Sequence, residues 1–214
     1  MINIFKNTKY KLIVFDLDGV LINSQENMKI AWLKVSKTLN LKIPFSEYKK
    51  HIGLPFYDIL DKICPKNKKD YIQIKKIYDK TSLENINKIK FYKYSISTLK
   101  FIQAKGIKIS IFTSKDKKRT LSILSKTNIL INSINTPNKK LRGKPHGDQL
   151  LNAIAVANVD RSETLFIGDS KYDKMASKKA GVKFIYANYG YGNLENQIKI
   201  NSIQDIKKIL IELS

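Results

Sequence analysis

The stretch from Lys11 to Leu21 constrains the fold more than any other part of the chain. An unbroken apolar run, Leu12 to Phe15, ends on the carboxylate of Asp16, and a second carboxylate, Asp18, precedes Gly19. Apolar runs rich in β-branched residues are typical of strands buried on both faces of a parallel sheet. The aspartates would then lie at the carboxyl edge, where open α/β sheets bind ligands. Two buried acids are costly unless they hold a cation or do chemistry, although a polar turn also uses Asp and Gly.

The net charge of +22 at pH 7 suggests a nucleic-acid-binding protein, but the type and distribution of the basic residues argue against it. Of the 40 basic residues only three are arginines, the side chain that base-edge and bidentate phosphate recognition favour. The lysines are spread along the whole chain, and distributed charge gives only weak, salt-sensitive affinity. We therefore expect no specific nucleic-acid partner, whereas anionic substrates would be attracted to this surface.

The remaining composition is that of a globular protein. The 214 residues suffice for one domain, or one domain with an insert, and 43% of them are hydrophobic. No apolar stretch approaches the roughly 20 residues that span a bilayer, and the N-terminus does not resemble a signal peptide. The single cysteine, Cys64, excludes an intramolecular disulfide. We expect a cytoplasmic protein with no membrane partner.

Helical patterns follow the first strand without interruption. The apolar spacing predicts helices at Ser24–Asn40, Ser46–Ile52, Phe56–Ile63 and Tyr71–Ile89. No strand is predicted between Leu21 and Phe91. An all-helical block directly after a buried strand is interpreted as an inserted domain. The sequence thus predicts a core of residues 1–20 and 93–214 and a helical cap of residues 21–92.

Strands and helices alternate over the rest of the chain. The predicted strands are Ile107–Thr113, Ile129–Ile134, Thr164–Gly168 and Val182–Ala187. The predicted helices are Ser95–Lys105, Asp116–Lys126, Asp148–Asn158, Tyr172–Ala180 and Ser202–Leu213. This alternation predicts an α/β fold with a doubly wound parallel sheet and right-handed crossovers.

Polar side chains collect where these strands end. Thr113 and Ser114 follow one strand, Lys144 lies in a later loop, and Asp169 and Asp173 follow another strand. Each group alone suits a helix cap or a tight turn. Because parallel strands bring their ends to one edge, their order and type together indicate one site, shared with the opening pair of aspartates.

The chemistry of this set fits phosphoryl transfer. An aspartate can attack phosphorus and form an aspartyl-phosphate, and Mg²⁺ relieves the repulsion between that carboxylate and the phosphate. A lysine and a hydroxyl can stabilise the transferring oxygens. A second acid can protonate the leaving oxygen and then activate water.

Four motifs in this order resemble those of the haloacid dehalogenase superfamily of aspartyl-phosphate enzymes. Residues 16–21 match the first motif, Thr113 the second, Lys144-Pro145 the third and residues 168–173 the fourth. The helical block falls where the helical-cap subfamily, which includes phosphoglycolate-phosphatase-like and β-phosphoglucomutase-like members, carries its insert. Residues 189–192, Tyr-Gly-Tyr-Gly, also resemble a recurrent segment of the phosphoglycolate-phosphatase-like members.

The resemblance implies a role for each aspartate. Asp16 would be the nucleophile and a magnesium ligand, and Asp18 the acid/base, with its backbone carbonyl on the metal. Asp169 would bind Mg²⁺ directly, and Asp173 directly or through water.

The resemblance also implies a phosphate-binding set. Thr113, the neighbouring Ser114 and Lys144 would bind the phosphoryl group, and the lysine would also steady Asp16.

Two features refine the subclass. Dehalogenases of this family lack the aspartate at position 18, which favours phosphoryl transfer over carbon–halogen cleavage. Sugar-phosphate mutases usually carry a histidine ten residues after that aspartate, where this chain has Met28.

We therefore predict a magnesium-dependent phosphatase, monomeric or homodimeric, acting on a small phosphate ester such as phosphoglycolate or a sugar phosphate. A nucleoside monophosphate also remains open. Three alternatives are kept: a sugar phosphomutase, a basic nucleic-acid-binding protein, and a binding or scaffold protein with an inactive site.

Overall fold

The structure is a computed structural model that describes residues 10–211. Predictions that concern residues 1–9 (the start of the core and the lack of a signal peptide) and residues 212–213 (the end of the last helix) lie outside the described residues. Between residues 10 and 211, no helix is long and apolar enough to cross a membrane.

A six-stranded sheet forms the centre of the core. Its strands are β1 (Leu12–Phe15), β4 (Lys108–Phe112), β5 (Ser133–Asn135), β6 (Thr164–Gly168), β7 (Lys183–Ala187) and β8 (Lys199–Ile200). All neighbouring pairs are parallel, in the order β5-β4-β1-β6-β7-β8. The predicted α/β fold with a parallel sheet is confirmed. The predicted strand at 129–134 is short and shifted to β5, and β8 was not predicted.

Strand β1 is buried on both faces, as its unbroken apolar run predicts. Ile13 and Phe15 belong to one apolar cluster, and Leu12 and Val14 to a second cluster on the opposite face of the sheet. None of the four side chains is exposed. The alternation of side chains along a strand explains why both faces need apolar residues here.

The register of the sheet aligns the ends of its central strands. Phe15 pairs with Ile111 on β4 and with Ile167 on β6. The polar residues that follow these three strands therefore emerge at one edge.

Helices cover the sheet. They are α5 (Ser95–Ala104), α6 (Lys117–Leu124), α7 (Asp148–Ala157), α8 (Lys171–Ala180) and α9 (Asp205–Ile211). Each lies within a few residues of its predicted position, because the apolar spacing of each helix and the glycines near their ends are local signals.

The block between β1 and α5 is helical and has its own apolar cluster. Its helices are α1 (Gln25–Thr38), α2 (Phe45–Lys49), α3 (Phe56–Ile63) and α4 (Tyr71–Glu84). Trp32, Leu60 and Ile74 are fully buried in the cluster between them. Helix α4 stops at Glu84, five residues before its predicted end, and a short 3₁₀ turn, Ile86–Lys88, follows. We refer to these helices and the loops between them as the cap.

Two short strands connect the cap to the core. Strands β2 (Ile22–Asn23) and β3 (Lys90–Phe91) form an antiparallel pair, which we call the hinge. The prediction of no strand between Leu21 and Phe91 was therefore wrong. A strand of two residues is too short to show the alternation of apolar and polar residues that identifies strands. The pairing also joins segments far apart in the chain, so local sequence does not predict these strands.

Candidate active site

Three predicted site residues lie together at the carboxyl edge of the sheet. Asp16 follows β1, Asp169 follows β6, and Asp173 lies in the first turn of α8. One carboxylate oxygen of each lies within 4.8 Å of the others, and all three side chains are buried. Asp173 also accepts hydrogen bonds from the backbone N–H and the hydroxyl of Ser170, at 3.0 and 2.5 Å, so its carboxylate is fixed by the start of α8.

Lys144 joins two of these carboxylates. Its side chain is fully buried, and its Nζ lies 2.7 Å from Asp16 Oδ1 and 2.6 Å from Asp173 Oδ1. The ammonium also lies 5.0 Å from the ring centroid of Phe112. Burial alone would lower the pKa of Lys144, but the two carboxylates raise it above its ordinary value. The lysine therefore stays charged and links two of the predicted motifs.

The carboxylates repel one another in this buried setting. Burial, together with the charges of Asp173 and Asp18, raises the pKa of Asp16 to about 7 although Lys144 opposes the shift. Burial and the charges of Asp16 and Asp173 likewise raise the pKa of Asp169 well above its usual range. A cation bound among them would relieve this repulsion.

The charge balance of the edge fits such a cation. The edge carries four aspartates and, among the described residues, two ammonium groups paired with them: Lys115 with Asp18, and Lys144 with both Asp16 and Asp173. The two remaining negative charges match one divalent cation. Carboxylate oxygens are the ligands that Mg²⁺ prefers, so this residue set fits the predicted magnesium site.

Asp18 lies apart from the three clustered carboxylates and faces the cap. Its Oδ1 accepts a short hydrogen bond from the hydroxyl of Ser24, which precedes α1, and lies 3.1 Å from the Nζ of Lys115. The Lys115 side chain is 4% exposed. Sequence reasoning missed this lysine, because one lysine among so many carries no signal.

The two predicted hydroxyl residues have different surroundings. Thr113 is buried at the end of β4, and its Oγ1 accepts a hydrogen bond of 3.2 Å from the backbone N–H of Lys115. Ser114 lines the same pocket, but its hydroxyl donates to the backbone carbonyl of Gly53 in the cap at 2.7 Å. The structure thus directs Ser114 towards the cap loop.

The cap and this edge together line a chamber of about 50 Å³. The core contributes Asp16, Asp18, Thr113, Ser114, Lys115 and Arg119 to its lining. The cap contributes Met28, Tyr48, Ile52, Gly53, Leu54, Phe56, Ile59 and Tyr78. The hydroxyls of Tyr48 and Tyr78 are hydrogen-bonded at 3.1 Å. A substrate bound here would contact both the core edge and the cap.

Arg119 connects the core to the cap beside this chamber. From α6 it pairs with Asp116, the N-cap residue of that helix, and its guanidinium lies 3.1 Å from Asp79 and 2.8 Å from the hydroxyl of Ser82, both on α4. It also lies over the ring of Tyr78, 5.5 Å from the centroid. This contact between the domains was not predicted, since its partners are distant in the sequence.

The fold and this set of strand-end residues define a family. The model of the haloacid dehalogenase-like hydrolases matches residues 13–187, and the chain belongs to this family. The predicted family and the prediction of a hydrolase are therefore confirmed.

Curated relatives extend over most of the chain. A phosphoglycolate phosphatase of Aquifex aeolicus is 30% identical over 196 residues, 88% of this chain and 89% of the relative. The pyrophosphatase PpaX of Anoxybacillus flavithermus is 28% identical over 80% of each chain.

Solved structures share the fold. A hydrolase from Pseudomonas syringae superposes with a TM-score of 0.83 at 19% identity, covering 95% of this chain and 99% of that one. A haloacid dehalogenase-like protein from Streptococcus pneumoniae gives 0.80 at 18% identity, covering 93% and 97%.

Proposed function

We propose that the protein is a magnesium-dependent phosphatase that hydrolyses a small phosphorylated metabolite through an aspartyl-phosphate. The observation that carries this proposal is the position of Asp16, which belongs to the cluster of buried carboxylates and also lines the chamber beneath the cap. A nucleophile in this position faces a substrate on one side and metal ligands on the other.

The protein side chains divide the reaction between them. A carboxylate oxygen of Asp16 attacks phosphorus, and the bond from phosphorus to the leaving oxygen breaks. Asp18 gives its proton to that oxygen, and then takes a proton from the water that attacks the phosphorus. The second attack releases orthophosphate and restores both aspartates. Lys144 keeps Asp16 in place and, with Thr113, stabilises the transferring oxygens.

The metal site is part of the same proposal. Asp16, Asp169 and Asp173 would hold Mg²⁺, together with the backbone carbonyl of Asp18. When bound, the ion neutralises charge between the attacking carboxylate and the phosphate.

The size of the chamber favours a compact leaving group. About 50 Å³ is far below the roughly 300–1,000 Å³ of pockets for drug-sized ligands. The names of the relatives point the same way, because glycolate and orthophosphate are both small. We infer that phosphoglycolate or pyrophosphate suits this chamber better than a sugar phosphate or a nucleotide. Met28 lines the chamber where sugar-phosphate mutases usually carry a histidine, which favours hydrolysis over phosphoryl transfer to a sugar.

A substrate screen tests the proposal. Phosphate release would be measured with Mg²⁺ on phosphoglycolate, pyrophosphate, glucose 6-phosphate and a nucleoside monophosphate. We expect turnover of a compact substrate, lost in EDTA and in Asp16→Asn, and retained in Asp160→Asn as an exposed control. Wild-type turnover by Asp16→Asn would contradict the mechanism, and preference for the sugar phosphate would contradict the size argument.

A further inference from the structure

Residues 189–192, the Tyr-Gly-Tyr-Gly segment, contact both the metal-ligand edge and the hinge. The backbone N–H of Tyr191 donates to Asp169 Oδ2 at 2.6 Å. The hydroxyl of the same tyrosine accepts a hydrogen bond of 2.6 Å from the backbone N–H of Ser24, and lies 3.3 Å from the carbonyl oxygen of Ile22. One residue thus connects a carboxylate of the core to the strand that leads into the cap.

The glycines of the segment let its backbone pack directly against Asp169. A methyl group at Gly190 would lie 2.5 Å from Asp169 Oδ2 and 2.7 Å from the carbonyl oxygen of Gly19. A methyl group at Gly192 would overlap the carbonyl oxygen of Asp169. Because the backbone and the aspartate are already in contact, neither can shift without displacing the other.

The hinge end of the connection is equally defined. Ser24 is fully buried and lies between β2 and the start of α1. Its hydroxyl is bonded to Asp18, and its backbone N–H is satisfied by the Tyr191 hydroxyl. A buried N–H that loses its partner destabilises the structure, so the position of the hinge depends on this tyrosine.

We propose that Tyr191 is a positioning residue that couples the metal ligand Asp169 to the hinge. A cation that holds Asp169 among the other carboxylates fixes the Tyr191 backbone, and the ordered side chain then holds the entry to the cap. The coupling is reciprocal: the factor by which the cation stabilises the ordered hinge equals the factor by which the ordered hinge raises the affinity for the cation. This inference rests on the proposed function, because it takes Asp169 to be a magnesium ligand.

Hydrogen exchange of the 214-residue chain, measured by NMR with and without Mg²⁺ alone, tests the coupling without substrate. We expect Mg²⁺ to raise the protection of the Ser24 amide at least about fivefold, the lower end of typical coupling. In Tyr191→Phe, which keeps the backbone N–H, we expect less than about a twofold effect and at least about fivefold weaker Mg²⁺ binding by calorimetry.

Tyr189→Phe is the matched control. Its hydroxyl donates to the carbonyl of Val20, two residues before the hinge strand β2, at 3.0 Å, but it makes no hydrogen bond to Asp169 in the described structure. We expect its Mg²⁺ affinity to stay within about twofold of wild type. Circular dichroism would establish that both variants are folded.

The outcomes separate the two proposals. If wild type binds Mg²⁺ while the Ser24 amide does not respond, or if Tyr191→Phe binds Mg²⁺ as wild type does, the coupling is refuted and the phosphatase proposal stands. An equal loss of affinity in Tyr189→Phe also refutes the specific role of Tyr191. If the wild type binds no Mg²⁺, both proposals fail.

Discussion

Replacing Arg119 by methionine tests whether the core–cap contact described above stabilises the protein. The substitution keeps an apolar side chain and removes the guanidinium, whose partners are Asp116, Asp79 and Ser82. The arginine is 7% exposed, whereas its two aspartate partners are 32% and 31% exposed. The guanidinium is therefore buried while the carboxylates are partly solvated, and this difference determines how much stability the substitution removes.

The expected loss follows from that geometry. Hydrogen bonds to charged groups contribute about 1.5–3 kcal/mol each when buried, but partial exposure of the aspartates reduces this. We expect a total of about 2–4 kcal/mol in the free energy of unfolding. For a chain of this size that corresponds to a decrease in Tm of about 4–16 °C.

Differential scanning calorimetry would measure the decrease, with Arg142→Met as the control. Arg142 also binds an aspartate through two nitrogens, Asp148 at 2.8 and 3.0 Å, but its side chain is 68% exposed. Its replacement should leave Tm almost unchanged. Equal decreases for the two variants, or none for Arg119→Met, would refute the argument from burial.

Three further predictions concern the site. The pKa of Asp16 is about 7 in the folded protein and 3.8 in the unfolded chain, so in EDTA only the folded state keeps this proton between pH 4 and 7, and stability should fall over that range. Asp16→Asn should reduce this trend in thermal scans without abolishing it, because the raised pKa of Asp169 acts in the same direction. Ser114→Ala removes the hydrogen bond to Gly53, so KM should rise about 2–10-fold with kcat unchanged; a fall in kcat alone would instead indicate phosphoryl binding. Gly190→Ala places a methyl group 2.5 Å from Asp169 Oδ2 and should weaken Mg²⁺ binding more than about tenfold by calorimetry; unchanged affinity would contradict the close packing.

The residues at the strand ends could be predicted for two reasons. The strands themselves are recognisable from local sequence, and a parallel sheet places their carboxyl ends side by side. The apolar runs before Asp16 and Asp169 identify buried strands, and a parallel sheet brings their ends to one edge. The sequence could not show how the groups pair there. That Lys144 reaches both Asp16 and Asp173, or that Ser114 turns to the cap, depends on packing between distant segments.

The residues that sequence reasoning missed have roles that only tertiary structure creates. Lys115 is one of many lysines, and its pairing with Asp18 requires the loop after β4 to pass beside the start of the cap. Nothing in the sequence around Arg119 distinguishes it from other basic residues on helices, and its cap partners lie 37 and 40 residues earlier in the chain. Tyr191 belongs to a segment that the sequence singled out, but its two contacts depend on the hinge, whose strands were not predicted.

The hinge also brings the two ends of the cap segment together. Asn23 and Lys90 are paired neighbours in an antiparallel ladder, so the chain leaves the core and returns to it at almost the same point. Paired residues of this kind lie only about 5 Å apart, a gap that a two-residue turn can bridge. Excision of the intervening segment would therefore leave the ends of the core already in register. A different cap could be grafted at this position, exchanging the lining over Asp16 while the strand order of the sheet stays the same.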